Sequence, residues 1–465
     1  MVRQKRLGRA AAYGAVLGAL VLSSCGGQTG SVSPSAAARS VTSAADLTSV
    51  TVPQDPAGTQ LAWFLSSVAD APLSQQDIDA HFDALFRDKI SGAELNAVLA
   101  EIPASPGTHV VEVLATEPTD LVVIATFGTE RLKVTLSVDG SGLIDLLQLL
   151  PSASATSWSQ IDQALGALAP DVSFLAARVA NGSCQTINQL ASSTLRPLAS
   201  EFKLFVLGAL AHQIAAGHVA WNQKVAVESQ LKSSGNPVGS GSLQFVPAGT
   251  RVSVRETATK MISISDNTAA DMLINLVGQP ALESQVRQWS DDPRLDSPFL
   301  TTRQVILLHY ANFPVLANQY LARAPSKRQA FLNSAVDPLA LSGVRGSTEP
   351  RDIDSIEWFG SPDDVCRAFA GLQQLSRQPK LSLIGSIFSV NNGGLGLDPS
   401  EWPTVWFKGG SEPGVVTVGY MATNSRRQTF VVSAMLSDAT AALAPSATLA
   451  LLEAVVGAFG LMNSP

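Results

Sequence analysis

The sequence predicts an α+β protein with two folded units behind a leader, and three observations carry that reading. Its long C-terminal part has strand-like runs at both ends and helical spacing between them, the pattern of one sheet assembled from sequence-distant pieces. A shorter stretch before it passes from helical spacing to three apolar runs, the last closed by turn residues. The chain has 465 residues, 46% of them apolar, which is long for one ordinary domain and rich enough in aliphatic side chains to bury a core. Its formal charge of −7 argues against nucleic acid as a partner, because phosphate binding needs a basic face.

The first element is a leader. Met1 to Arg9 carries Arg3, Lys5, Arg6 and Arg9 and no acid, Ala10 to Leu22 is a short apolar run, and Ser23, Ser24 and Cys25 follow. A basic head, a brief apolar core and small residues make a secretory signal over residues 1–24. That core is too short to stay across a bilayer. Leu22-Ser23-Ser24-Cys25 resembles the bacterial lipobox, in which Cys25 becomes the acylated first residue of a lipoprotein. Loss of the four basic residues would take the charge from −7 to −11. A lipid rather than charge would then hold the protein at the cell membrane, on its extracytoplasmic face.

Residues 25–58, rich in Gly, Ser, Thr, Ala and Pro, read as a flexible tether. Residues 59–150 read as a small α+β domain. Helical spacing covers 61–69 and 75–101, with Ile78, Phe82, Leu85 and Phe86 on one stripe. Strands follow over 110–115, 121–127 and 132–138, the last ending at the turn pair Asp139-Gly140. His81 and His109 stand alone and read as structural or solvated histidines.

The unit over 156–465 begins with a helix around 161–168 and strands over 172–179 and 186–190. A long apolar helix spans 200–216, and helical stretches cover 254–277 and 301–375. Three adjacent strands over 405–408, 415–422 and 429–436 precede a closing helix at 446–461. Cys184 and Cys366 are the cysteines left after Cys25; in an oxidising compartment they are candidates for one disulfide, with two buried thiols as the alternative.

The chemistry concentrates in this last unit. Ser200-Glu201-Phe202-Lys203 lies where the strand region passes into the apolar helix. Serine and lysine three residues apart share a helical face, so hydroxyl and amine can meet. The helix start adds amide donors and the positive dipole end, useful when an attacked carbonyl oxygen turns negative. A lysine desolvated by Phe202 and Phe205 would lose its proton and serve as the base. Ser229-Gln230-Leu231-Lys232 repeats the spacing, but among polar turn residues.

Ser265-Asp266-Asn267 interrupts the apolar stretch that begins at Val254. Such side chains compete for backbone hydrogen bonds, so the triplet reads as a loop exposing a hydroxyl and an amide to a cleft. On spacing alone it also fits a cap for a helix starting at Thr268. Lys408-Gly409-Gly410-Ser411 ends a strand just before Pro413-Gly414. Its glycines admit a substrate backbone, and its lysine and serine suit a carboxylate, although alone it is an ordinary hairpin.

Together and in this order, the three motifs resemble those of the serine β-lactamase and penicillin-binding protein superfamily. The run from Met261 through Ser265-Asp266-Asn267 to Ala270 is similar to a class A β-lactamase consensus. The resemblance covers about 156–465 and implies an antiparallel sheet with flanking helices and an all-helical subdomain. The layout also resembles a subgroup, mycobacterial lipoproteins of the LpqF type and a clavulanate-cluster protein, in which a small NTF2-like or cystatin-like domain precedes this fold. Carried over residue by residue, the resemblance makes Ser200 the nucleophile and Lys203 its general base. Ser265 would pass a proton to the leaving atom, and Asn267 would orient substrate and Lys203. Lys408 would supply positive potential, Gly410 would lie along the substrate, and the amides of Ser200 and Ser411 would form the oxyanion hole.

The departures matter as much. Class A enzymes keep a deacylating glutamate some way past the Ser-Asp-Asn triplet; counting forward here reaches Ser297 to Thr302, and no glutamate occurs between Glu283 and Glu349. Asp291, Asp292 and Asp296 lie nearby without the expected neighbours and read as turn or capping acids. Gly409 stands where the family motif has a threonine, and the stretch from Ser265 to Lys408 is long. Acylation has its parts, whereas release of a β-lactam acyl group lacks its usual base, a loss of about 10²–10⁴-fold.

The expectation is therefore a hydrolase for a small-molecule acyl substrate (an ester, a β-lactam or a peptidoglycan-like peptide), slow on β-lactams, with no cofactor and no metal. A D-alanyl-D-alanine carboxypeptidase and a non-enzymatic envelope binding protein are the competing readings. For the anchor, cells fed labelled palmitate should label the protein, and Cys25→Ser should abolish the label and free the protein from the membrane. A Cys25→Ser protein still membrane-bound would refute it.

Overall fold

The computed structural model describes residues 21–23, 50–68, 71–100, 108–128, 130–152, 155–233, 240–292, 298–342 and 344–463. Cys25, the leader apart from Val21–Ser23, most of the tether, and Asp296 lie outside them. The chain divides into two compact units near residue 154.

In the smaller unit, β1 (Val21–Ser23) precedes α1 (Pro56–Ser67), α2 (Gln75–His81), α3 (Ala84–Lys89) and α4 (Gly92–Leu99). The strands β2 (His109–Glu117), β3 (Asp120–Phe127), β4 (Glu130–Val138) and β5 (Ile144–Pro151) follow, in an antiparallel sheet of order β1-β5-β4-β3-β2. Period-two alternation sends Leu121, Val123, Ala125 and Phe127 of β3 to one face, where they bury with Leu61, Phe64, Ile78 and Phe86 of the helices.

The helical stretch expected over 75–101 is three short helices. Ser74 Oγ accepts from Asp77 N and Asp83 Oδ1 from Phe86 N, so each of these caps starts a new helix. β5 is a strand the sequence reading omitted, because Ile144 to Leu150 is an apolar run without strict alternation and periodicity does not separate strand from helix there. His81 lies flat on Trp63, ring centroids 3.5 Å apart, with Nδ1 2.9 Å from Gln60 Oε1: a packed structural histidine.

The larger unit starts with α5 (Trp158–Gly166), β6 (Asp171–Ala180), β7 (Ser183–Leu190), β8 (Arg196–Pro197) and α6 (Lys203–Ala215). β9 (Lys224–Ala226) and β10 (Arg251–Ser253) pair beside α7 (Val254–Ser263), α8 (Asn267–Val277) and α9 (Gln279–Trp289). Then come α10 (Thr302–Tyr310), α11 (Val315–Leu321), α12 (Pro325–Phe331), β11 (Phe359–Gly360), α13 (Pro362–Ser376) and α14 (Leu383–Phe388). β12 (Thr404–Glu412), β13 (Val415–Thr423), β14 (Thr429–Ser437) and α15 (Pro445–Asn463) complete the chain.

The main sheet is antiparallel in the order β12-β13-β14-β6-β7, so β14 from the C-terminal end pairs with β6 from the beginning, Thr429 opposite Val179. It is covered on both faces. Phe174, Ala176, Val418, Tyr420 and Val432 pack with Ile161 and Leu165 of α5 and Leu451, Val455 and Phe459 of α15. The alternate residues Leu175, Ala177, Met421, Val431 and Met435 pack with Leu204 and Leu207 of α6 and Val365 and Phe369 of α13. Double coverage is why β13 and β14 are almost unbroken apolar runs.

The stretch 301–375, expected to be helical, is four helices interrupted by loop and by β11. Pro314, Pro325, Pro350 and Pro362 punctuate it, with Pro325 and Pro362 opening α12 and α13. Among the described residues no helix is long and apolar enough to cross a membrane.

Cys184 of β7 is bonded to Cys366 of α13, Cα atoms 6.3 Å apart and 182 residues apart in sequence. A crosslink over so long a loop restricts the unfolded chain, and its removal should cost about 2–4 kcal/mol. Urea unfolding with and without reductant measures this, Cys366→Ala serving as control. Equal midpoints would show that the bond contributes nothing.

Candidate active site

The turn that carries Ser200, the candidate nucleophile, is held from three sides. Ser200 sits in a 3₁₀ turn, Ala199–Phe202, that runs straight into α6. Ala199 has φ +43°, a left-handed conformation that a non-glycine residue keeps only when its surroundings enforce it. The enforcement is visible: Leu198 N donates to Trp358 O at 2.8 Å, Ala199 N to Glu357 Oε2 at 3.2 Å, and Thr417 Oγ1 to Leu198 O at 3.0 Å. The Phe202 ring stacks on Trp358 with centroids 3.7 Å apart. Gly410 of β12 lies against the turn so closely that a Cβ there would fall 2.4 Å from Ser200 N, so only glycine fits.

The Ser-Asp-Asn triplet is the break between α7 and α8. Asp266, fully buried, builds it: Oδ2 accepts from Ser242 N at 2.7 Å and Leu243 N at 2.9 Å, and Oδ1 caps α8 through Ala269 N at 2.9 Å. Ser265 is thereby held at φ +55°. Ser240 adds a strut the sequence reading did not single out, its hydroxyl donating to Ser265 O at 2.7 Å and its carbonyl accepting from Asn267 N at 3.0 Å.

Lys203 joins the motifs. Its side chain is fully buried, and Nζ lies 2.9 Å from Ser200 Oγ, 3.0 Å from Ser265 Oγ, 2.7 Å from Ser265 O and 2.7 Å from Asn267 Oδ1. Burial drives its proton affinity well below that of an ordinary lysine, and the charge of Lys408 adds to the effect; Asp266, Asp271 and Glu357 pull the other way. A neutral amine has two hydrogens and one lone pair. The Ser265 carbonyl and Asn267 Oδ1 can only accept, so they take both hydrogens, and the lone pair is left for a serine O–H.

Lys408 approaches from β12. Its Nζ donates to Ser265 Oγ at 3.1 Å and to Gly409 O. Burial lowers it to about 7, with Glu201 opposing the shift. Ser411 is three residues further along the same strand, at the edge of the sheet, where alternate amides have no partner strand.

The structure thus gathers Ser200, Lys203, Ser265, Asn267, Lys408, Gly410 and Ser411 around one place. Other sequence candidates lie elsewhere. Lys232 of the second Ser-x-x-Lys spacing donates to Val246 O at 2.6 Å, and Asp291 pairs with Arg367 at 2.7 Å. Glu349, the next glutamate after Glu283, is exposed. Among the described residues no carboxylate hydrogen-bonds Ser200 or Lys203, and no group of His, Cys, Asp and Glu could hold a metal ion.

Several acids around the turn escaped the sequence reading. Glu357 and Glu412 share a hydrogen bond behind the nucleophile turn, both raised by burial, beside His309, whose Nε2 donates to Ile356 O at 2.8 Å. Glu201 lies inside the Ser-x-x-Lys motif itself, where an acid amid apolar neighbours was the available signal.

Residues 157–324 match the model of the beta-lactamase enzyme family, and residues 52–144 match that of the ORF 12 gene product N-terminal region. Among solved structures, the chain is similar to a beta-lactamase from Sphaerobacter thermophilus DSM 20745 (TM-score 0.42, 19% identity, 66% of this chain and 98% of that one). It is also similar to one from Chitinophaga pinensis DSM 2588 (TM-score 0.44, 16% identity, 65% and 97%). A third is a mutant of PBP-A in an acyl-enzyme complex with penicillin G (TM-score 0.42, 17% identity, 65% and 95%).

Asp266→Ala removes one cap and strands two buried amides, which should cost about 2–4 kcal/mol. Thermal unfolding should report that loss. Unchanged stability would mean that Asp266 does not build the loop.

Proposed function

We propose that this chain is a lipid-anchored, extracytoplasmic serine hydrolase that works through an acyl-serine intermediate on esters or β-lactams and releases β-lactam products slowly. The observation behind it is the placement of Lys203 Nζ, buried and 2.9 Å from Ser200 Oγ, with its hydrogens engaged by acceptors. The match of residues 157–324 to the beta-lactamase enzyme family supports the same reading.

In this reading Lys203 takes the Ser200 hydroxyl proton as the oxygen attacks the substrate carbonyl. The resulting oxyanion lies at the amides of Ser200 and Ser411. Ser265 gives its proton to the leaving nitrogen or oxygen as that C–N or C–O bond breaks. The proton on Lys203, 3.0 Å away, then restores the Ser265 hydroxyl. The cation of Lys408, 3.1 Å from Ser265 Oγ, stabilises that oxygen while it is short of a proton.

Hydrolysis of the acyl-serine needs a water stripped of its proton. The described acids near Lys203 are occupied with backbone amides, so activation falls back on Lys203 itself and a β-lactam adduct should persist.

Intact-mass analysis after mixing with a penicillin should show a one-to-one adduct, absent from Ser200→Ala. Fast multiple turnover without an adduct would overturn the slow-release reading, and release of terminal D-alanine from muropeptides would favour the carboxypeptidase. The pH dependence follows from Lys203: the base is competent above its lowered pKa and is lost as pH falls through it. Labelling should accordingly reach its plateau well below the pH at which an ordinary lysine would lose its proton. A rate still rising steeply above neutrality along an ordinary lysine titration would contradict a neutral Lys203.

A further inference from the structure

Glu201 is the one acid inside the nucleophile motif, and the proposed mechanism leaves it unused. It is fully buried, and neither carboxyl oxygen has a hydrogen-bond partner. The Thr417 hydroxyl beside it donates to Leu198 O at 3.0 Å instead. An unpartnered buried carboxyl costs stability unless something uses it.

The surroundings show where its influence goes. Gly419 of β13 stands directly opposite Lys408 of β12, so their Cα substituents point to one face of the sheet. A Cβ on Gly419 would fall 2.5 Å from Glu201 Oε1. The carboxyl therefore occupies the place a side chain at 419 would take, alongside the lysine. α13 closes the space with Val365 and Phe369, both apolar, and β13 contributes Thr417. Among the described groups the charged one that faces Glu201 is Lys408.

We propose that Glu201 is a positioning residue acting through Lys408: lodged where Gly419 leaves room, its carboxyl sustains the charge of the lysine that donates to Ser265. The proposal builds on the acyl-serine reading for its consequence, because Ser265 is the proton-passing group there. Burial raises Glu201 and lowers Lys408, and the charge of each opposes the other's shift. Each charge therefore favours the charged form of the other. Lys408 in turn adds its charge to the burial that depresses Lys203. One acid beneath the turn thus biases the lysine on each side of Ser265.

The test is Glu201→Gln, which keeps the shape and removes the charge. With lysine side chains carbon-13 labelled, the Lys408 titration midpoint should fall by about one unit or more. Where Lys408 is already losing its proton, each unit makes Ser200 labelling by penicillin about tenfold slower at a given pH, and the alkaline limb of the rate profile should move to lower pH. An unmoved Lys408 midpoint would overturn the proposal.

If Glu201→Gln does not fold, Lys408→Met in glutamate-labelled protein decides the same coupling. Glu201 should then titrate higher than in the parent, and an unmoved Glu201 overturns the idea. Failure of penicillin to label Ser200 would sink the acyl-serine reading and leave the lysine titration to settle the coupling on its own.

Discussion

The site depends on keeping one amine out of water without giving it a carboxylate. Lys203 Nζ is buried among four oxygens, and none belongs to an acid. A cation in such a place carries a desolvation penalty of several kcal/mol that neutral acceptors repay only in part. Acids do lie near enough to act on it. Asp266 is engaged by the amides of Ser242, Leu243 and Ala269, Asp271 by those of Thr302 and Arg303, and Glu357 by those of Ala199 and Trp358. Each carboxyl is turned toward the backbone it organises. The same three acids therefore hold the loops around the lysine and leave the lysine's nitrogen to the serines.

This arrangement needs parts from three distant stretches of chain, and the sheet brings them together. The β14–β6 pairing places the C-terminal hairpin next to the strands that lead into the nucleophile turn. β12 is then an edge strand lying across Ser200, close enough that Gly410 must lack a side chain. α7 and α8 meet α6 in the same apolar cluster, which fixes the distance from Lys203 to the triplet between them. The packing of ordinary hydrophobic residues thus sets hydrogen-bond lengths near 3 Å between residues 62 and 143 positions apart.

What the sequence disclosed follows from the range of each constraint. Ser200 to Lys203 is one helical turn, so the contact is implied by the spacing itself. The break at Ser265-Asp266-Asn267 is local too, since Asp266 caps the helix that follows. β5 was illegible because its apolar run satisfies two periodicities, and the helices within 75–101 because their caps lie inside a run of helical spacing. Ser240 and Glu357 reach the site through contacts to Ser265 and Ala199, which spacing does not announce. Glu201 was visible as an acid in an apolar setting, but its neighbour Lys408 is brought to it by the sheet.

The same distinction bears on the search for a water-activating acid. Spacing within a motif is set by helix or strand geometry and resists change, whereas spacing between motifs is set by loops and added helices and varies freely. Here α10, α11 and α12 all lie between the triplet and the final hairpin, so counting residues from Asn267 cannot locate a base. Position has to be judged by contact. By that measure Glu349 is exposed, Glu357 is hydrogen-bonded to Ala199 N and to Glu412, and neither bonds to Ser200 or Lys203. The carboxyl nearest the nucleophile in sequence, Glu201, sits beneath the turn against β13 and Lys408. The acids around this cleft organise loops or balance lysines, and the slow-release proposal rests on that division.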